Sequence, residues 1–248
     1  MTPVIRRLRT VFLATALAVL SAGTASAQFD PSCCLQPDNG SGTATLPPST
    51  SGCAYYGTTE IVDGLALGDT IFVTVAYYGF NAVNEVPGGS LSGTQSNFGA
   101  SLAMSMIGNG SLTGFNRFII LTLPGPFQTI DFSPRVPFAP VQNATLDLRR
   151  LQGQVTLDPD FDLLRITGGT DFGMPSPGLV QLTGFSGQWS VSSYIDLTHR
   201  IDFVGRAGGS LGGRSGSTVR TRRWVMCAEP AVSVTPSTWS GIKALLRD

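Results

Sequence analysis

The only histidine of the chain, His199, is the side chain best suited to proton transfer near neutral pH, because imidazole titrates there. Ser193 precedes it on the same predicted strand, and its hydroxyl would be the candidate partner if His199 acted as a general base. The alternative interpretation is a core histidine bonded to backbone, since His199 stands in phase with the apolar residues Leu197 and Ile201. The one G-x-S-x-G match, at 208–212, lies in a glycine-rich loop before a predicted strand rather than on a strand-to-helix turn, so it does not have the context of a nucleophile elbow. We therefore favour the core interpretation and assign no catalytic residue.

Three aspartates alternate with other residues at Asp158, Asp160 and Asp162. This spacing lets carboxylates converge on a calcium ion. Leu163 occupies the position where a calcium-binding loop of the EF-hand type needs glycine, and no acid stands at the twelfth position. The segment is a weak metal-site candidate, and a solvated acidic turn explains the same residues. No cofactor is predicted.

Two tyrosine pairs, Tyr55-Tyr56 and Tyr77-Tyr78, could form a surface on which sugar rings stack. Neighbouring residues of a strand face opposite sides of the sheet, so at most one member of each pair can join such a surface. Tyr77 and Tyr78 are the weak ligand-binding candidates. Packing in the core is the alternative for all of these rings.

The four cysteines are Cys33, Cys34, Cys53 and Cys227. Adjacent Cα atoms lie about 3.8 Å apart, which is shorter than the roughly 4.4 Å lower limit of an ordinary disulfide. A bond within the vicinal pair is therefore disfavoured. We predict that one of the pair bonds Cys53 and the other bonds Cys227, without deciding which. A zinc site is the alternative, but C-x-x-C spacing and a second histidine are missing.

The first 27 residues have the pattern of a secretory signal peptide. Arg6, Arg7 and Arg9 give a positive start, an apolar run follows at 11–20, and 25–27 reads Ala-Ser-Ala. The apolar run is far shorter than the roughly 20 residues of a spanning helix. We therefore expect no transmembrane segment after cleavage, and a secreted or extracytoplasmic protein, in the periplasm or at the cell surface, where disulfides persist.

The charge balance excludes a nucleic acid as the expected partner. The whole chain has 16 basic and 16 acidic residues, and loss of the three leader arginines leaves 13 basic residues and a net charge of −3. Charged residues make up 13% of the chain, about half the usual share. Hydrophobic residues make up 42%, which is enough to build a core.

The strand pattern predicts an all-β protein, an antiparallel β-sandwich of about ten strands with a short C-terminal helix. The predicted order is a signal peptide at 1–27, a disulfide-stapled loop at 28–59, the sandwich at 60–230, and a linker with an amphipathic tail at 231–248. The prolines between Pro124 and Pro140 are expected to cut that stretch into short pieces. The apolar phase flips at Arg149-Arg150, which predicts a β-bulge or, alternatively, a corner between two strands.

The tail follows a good helix start, Thr-Pro at 235–236. Trp239, Ile242 and Leu246 would share one helical face, with Lys243 and Arg247 off it. The ending resembles short Trp-x-x-Ile-Lys tails of otherwise different secreted bacterial proteins. That resemblance implies sorting or attachment. A helix that docks on the sandwich explains the same residues.

Five segments of the chain resemble a group of uncharacterised secreted bacterial proteins. They are 33–44 (CCLQPDNGSGTA), 86–93 (VPGGSLSG), 111–117 (SLTGFNR), 158–178 (DPDFDLLRITGGTDFGMPSPG) and 194–204 (YIDLTHRIDFV). The resemblance spans most of the chain after the leader and implies no particular activity. Our leading hypothesis is a non-enzymatic structural or adhesive protein of the bacterial cell envelope, with an envelope or glycan partner. A carbohydrate- or calcium-dependent binding module is the alternative, and a secreted hydrolase ranks third.

Overall fold

The computed structural model describes residues 34–156 and 158–226. These form ten antiparallel strands and two single-turn 3-10 helices, at Gly110–Leu112 and Thr170–Phe172. The all-β prediction is confirmed. The predicted signal peptide and C-terminal helix lie outside the described residues. The strands are β1 Leu35–Pro37, β2 Ala54–Ile61, β3 Ile71–Gly88, β4 Gly93–Gly108, β5 Asn116–Phe132, β6 Val141–Thr156, β7 Phe161–Gly168, β8 Pro177–Phe185, β9 Gln188–Gly205 and β10 Ser215–Met226.

The strands form two layers around one core. Hydrogen bonds link all ten strands into one sheet that folds over, and we call its two layers the first sheet, with the order β2-β3-β4-β5, and the second sheet, with the order β10-β9-β7-β6. The layers are joined at two corners: β5 pairs β6 only at 129–132, and β10 pairs β2 only at 225–226. β8 pairs both β6 and β9, and β1 pairs β9. Each sheet is therefore built from one contiguous half of the described chain.

Period-two alternation explains which side chains fill the space between the sheets. In β9, Ile195, Leu197, Ile201 and Phe203 all have exposed fractions of 1% or less. Burial of each such side chain contributes roughly 1.5–3 kcal/mol. The alternation that predicted this strand is thus the pattern that packs it.

The bulge predicted at Arg149-Arg150 is confirmed. Thr129 pairs Arg150 and Ile130 pairs Leu148, so Arg149 is the extra residue of β6. Because one residue is inserted, Leu148 before the bulge and Leu151 after it are both fully buried.

Two boundaries differ from the prediction. β2 begins at Ala54 rather than at Glu60. β5 continues through Pro124 and Pro126, where we expected a break. These prolines stand in an irregular stretch between the pairs Ala100–Leu123 and Phe98–Gln128, so they interrupt no ladder hydrogen bond there.

The N-terminal segment is fixed to the sandwich by a disulfide between Cys34 and Cys53, with a Cα–Cα distance of 4.8 Å. This confirms that one member of the vicinal pair bonds Cys53, and it assigns that role to Cys34. Cys33 and Cys227 lie outside the described residues, so their bond stays a prediction. No helix in the described part of the chain has the length and apolar character needed to cross a membrane.

Candidate functional site

The outer surface of the first sheet is the most distinctive surface of the described residues. Residues 93–108 of β4 carry no charge, and the outward side chains of β2, β3 and β5 carry one, Glu60. Glu60 lies at the margin, where Arg220 and Arg222 each approach it to 2.6 Å. We call this surface the uncharged face. Its outward side chains, in cross-strand rows, are Ala54–Tyr78–Ser101–Thr122, Tyr56–Ala76–Ala103–Ile120, Thr58–Thr74–Ser105–Phe118 and Glu60–Phe72–Ile107–Asn116.

Four large apolar side chains on this face are exposed to solvent. Phe72 is 55% exposed, Ile107 47%, Phe118 42% and Ile120 51%. The strand register places Phe72 directly opposite Ile107, so these apolar groups are neighbours rather than scattered residues. Contiguous exposed apolar surface of this kind marks interaction sites in soluble proteins.

The tyrosine pairs divide between the two sides of the sheet, as strand alternation requires. Tyr55 and Tyr77 point inward with exposed fractions of 2% and 0%. The prediction of Tyr77 as a ligand-binding residue is wrong, because its ring packs in the core, 5.0 Å from the ring centre of Phe80. Tyr56 and Tyr78 point outward onto the uncharged face, so the prediction for Tyr78 keeps a structural basis.

Tyr56 and Tyr78 are diagonal neighbours across β2 and β3. Tyr56 lies opposite Ala76, and Tyr78 lies opposite Ala54. Partial burial raises the pKa of both phenols. Both phenols therefore stay uncharged at physiological pH.

The small side chains of Ala76 and Ala103 stand between Tyr56 and Ile120 in one row. Their exposed fractions are 2% and 5%, because taller side chains surround them. The two alanines are therefore covered by the larger side chains around them.

The outer surface of the second sheet has the opposite character. Arg165 lies 2.9 Å and Arg200 3.2 Å from the carboxylate of Asp202. Arg223 binds Asp196 at 2.7 Å and covers the Tyr194 ring at 4.0 Å. Charged residues are thus concentrated on one outer surface of the sandwich and almost excluded from the other.

The three aspartates of the calcium prediction are held by arginines instead. Arg117 donates to Asp158 at 2.5 Å and lies 3.6 Å from Asp160, while Asp162 lies 4.0 Å from Arg206. In the described ranges, no three His, Cys, Asp or Glu side chains are placed to share a cation. The calcium prediction is wrong, because the positive partner of these carboxylates is the guanidinium group.

His199 is a fully buried core residue, as favoured from the sequence. Its Nε2 atom lies 2.9 Å from the Thr59 hydroxyl, and its Nδ1 atom lies 3.4 Å from the Leu197 carbonyl. Since a carbonyl only accepts, Nδ1 carries the proton and Nε2 accepts from Thr59. Desolvation lowers the pKa of His199 to about 4. Ser193 is about 20 Å away along β9 and donates to the Leu179 carbonyl at 2.8 Å.

A polar cluster at the β6 bulge was not recognised from the sequence. The Asp131 carboxylate is fully buried and accepts from the Ser90 amide and hydroxyl, both at 2.7 Å. Burial alone would raise the pKa of Asp131, but these hydrogen bonds bring it below the ordinary value. Arg149 links Asp131 at 3.4 Å to Asp171 at 2.6 Å. The cluster therefore fixes the 168–178 segment to the bulge, which is a structural role.

A groove of about 370 Å³ opens at the corner between β5 and β6. The buried Gln128 carboxamide closes its inner side, because it donates to the Gln152 carbonyl at 3.2 Å and accepts from the Gln152 amide at 2.9 Å. The Gln128 side chain thus makes the two hydrogen bonds that a peptide group of β5 would make if β5 and β6 were still paired at this point. The groove is lined by Thr122, Pro124, Phe127, Gln128, Gln152, Gly153 and Gln154.

The signal for the uncharged face was present in the sequence as the near absence of charge from alternate positions of four strands. It could not be recognised as a face until the register showed that these residues share one side of a sheet. The predicted tail residues, Trp239 to Arg247, lie outside the described residues. Comparison with protein-family models, with curated proteins and with solved structures found no match to this chain. The resemblance to secreted bacterial proteins therefore stays a prediction.

Proposed function

We propose that this protein is a non-enzymatic adhesive protein of the bacterial cell envelope, and that it attaches through the uncharged face. The observation that carries the proposal is the segregation of charge. In the described part of the chain, one of the two outer surfaces of the sandwich carries a single ion among its outward side chains, at the margin, and exposes Phe72, Ile107, Phe118 and Ile120. A surface of this composition gains free energy when another surface removes it from water.

The chemistry of the titratable groups supports a binding role over catalysis. The His199 imidazole is buried and neutral, with both ring nitrogens in hydrogen bonds. The Asp158 and Asp202 carboxylates are paired with arginines rather than directed into a cleft. These groups are arranged to hold the sandwich together.

The disulfide between Cys34 and Cys53 supports an extracytoplasmic location, since such bonds persist in oxidising compartments. The signal peptide remains a sequence-based proposal that agrees with it. The test below measures whether the protein stays with the envelope or enters the medium.

The test places a charge at the centre of the uncharged face. Ser105 lies between Thr74 and Phe118 in the third row, so Ser105→Glu introduces an ion with no counter-charge beside it. The full chain is expressed in its native host, and the protein in the envelope and medium fractions is quantified. We expect Ser105→Glu to move most of the protein into the medium with an unchanged melting temperature.

The matched control is Thr221→Glu on the second sheet, where the outer surface already carries many ions. Thr221 is exposed and pairs in register with Thr198 of β9. We expect this variant to fractionate as the wild type. Equal release of both variants, or of neither, would contradict attachment through the uncharged face.

A further inference from the structure

The uncharged face combines aromatic rings with hydroxyl groups, and this combination indicates the chemistry of its ligand. We propose that the face binds a neutral polysaccharide, with Tyr78 and Tyr56 as the stacking residues. The proposal rests on the proposed function, because it names the class of molecule to which the protein adheres.

The charge of the face requires a neutral ligand. The one carboxylate, Glu60, is already bound by Arg220 and Arg222, each at 2.6 Å. Away from this margin, an ionised ligand would lose its water and meet no counter-charge, which is costly. A neutral polymer avoids that cost, whereas an acidic polysaccharide or an anionic membrane does not.

The hydroxyl groups favour a sugar over a hydrocarbon surface. Thr74 and Ser105 occupy the third row, and Ser101 and Thr122 occupy the first, between and beside the apolar groups. A lipid or waxy surface would strip water from these hydroxyls and return no hydrogen bond. A sugar ring offers an apolar C–H face for an aromatic ring and hydroxyls around its edge, so it satisfies both kinds of group.

The dimensions of the face favour a polymer over a single sugar. Neighbouring strands lie about 4.8 Å apart, so the four strands span about 14 Å from β2 to β5. The row Tyr56–Ala76–Ala103–Ile120 crosses this width. A chain of several sugar units would lie along the rows, with Tyr56 and Tyr78 together at its β2–β3 end.

The experiment measures retardation of the exported protein in native gels that contain a soluble polysaccharide. A β-glucan, an α-glucan and a glycol-chitin are the neutral probes, and alginate is the acidic probe. We expect retardation by at least one neutral probe and none by alginate at the same concentration. Tyr78→Ala should weaken the apparent affinity at least tenfold, whereas Tyr78→Phe should keep it, because the ring rather than the phenol stacks.

The matched control is Tyr194→Ala, which removes an outward tyrosine from the second sheet. We expect it to bind as the wild type. Should Tyr78→Ala fail to fold, Phe118→Ala tests the same face at a side chain that is 42% exposed. Retardation by alginate alone, or equal weakening by Tyr194→Ala and the face variants, would overturn the proposal.

Two further outcomes separate this inference from the proposed function. If no neutral probe retards the protein while Ser105→Glu still releases it from the envelope, the ligand class is wrong and adhesion through the face stands. If light scattering shows a dimer that Ser105→Glu dissociates, the face binds a second copy of this chain, and the polysaccharide proposal is overturned.

Discussion

The buried His199 should make the stability of this protein specifically sensitive to mild acid. Desolvation lowers its pKa to about 4, whereas an unfolded histidine titrates near 6.5. Between these pH values the unfolded chain binds a proton that the native protein does not bind. Stability is therefore fully present above about pH 6.5 and is lost as the pH falls toward 4.

The magnitude follows from the size of the shift. A pKa difference of about 2.5 units corresponds to about 3 kcal/mol, at 1.36 kcal/mol per unit. Arg222, Glu60 and Arg220 are the charged groups nearest to the ring, and they modify its pKa less than desolvation does. Carboxylates such as Asp131 also lose favourable interactions in acid, so the histidine contribution must be isolated by a variant.

His199→Gln removes the titrating group. At pH 7.5 we expect it to cost about 1–3 kcal/mol, because the buried hydrogen bonds are imperfectly replaced. The difference in free energy of unfolding between wild type and variant should then shift by about 3 kcal/mol in favour of the variant between pH 7.5 and pH 4. Urea unfolding at several pH values, without reducing agent, measures this difference.

Thr59→Val is the matched control, because it removes the hydroxyl partner of His199 and leaves the imidazole in place. Its stability should fall at every pH, with the same pH dependence as the wild type. The reasoning would be refuted if the difference in free energy of unfolding between wild type and His199→Gln stayed constant from pH 7.5 to 4. The histidine would then titrate alike in the native and unfolded states.

Three other perturbations test the packing, the disulfide and the tail. A Cβ at Gly57 would lie 2.2 Å from Trp224 Cδ1, so Gly57→Ala should lower the melting temperature by several degrees and change tryptophan fluorescence, and an unchanged protein would contradict this packing. Replacing both Cys34 and Cys53 by serine should cost roughly 3 kcal/mol in denaturant unfolding, for a sequence separation of 19 residues, and an unchanged free energy of unfolding would contradict this. Deleting 233–248 should leave the melting temperature nearly unchanged and move the protein from the envelope into the medium. A large drop in melting temperature with no change of location would instead show a docked tail.

Local patterns in the sequence predicted the structural features that depend only on residues close together in the chain. The phase flip at Arg149 predicted the bulge, because a period-two pattern records an inserted residue directly. The phase of His199 predicted its burial in the same way. The tyrosine pairs show where this reasoning stops: alternation required one ring inside and one outside, but only the register with β2 and β4 decides that Tyr77 is the inner one.

Long-range pairing decided the features that the sequence could not predict. The sequence offers calcium or solvent as the partner of Asp158 and does not indicate its ion pair, because Arg117 lies 41 residues away in the chain. The irregular pairing around Pro124 likewise depends on the strand opposite, so the prolines alone predicted a break. The uncharged face required the alignment of four strands, and no single strand carried that information.

The division of the sandwich into two contiguous chain halves has a consequence for the order of folding. The first sheet, 54–132, is a meander whose strands pair in sequence, so it can form as soon as that half is available. Until 141–226 adds the second sheet, its inner face is uncovered, and its outer face carries almost no charge to keep copies apart. Such an intermediate is prone to aggregate. We therefore expect chaperone dependence to be concentrated in the interval between completion of β5 and docking of β9.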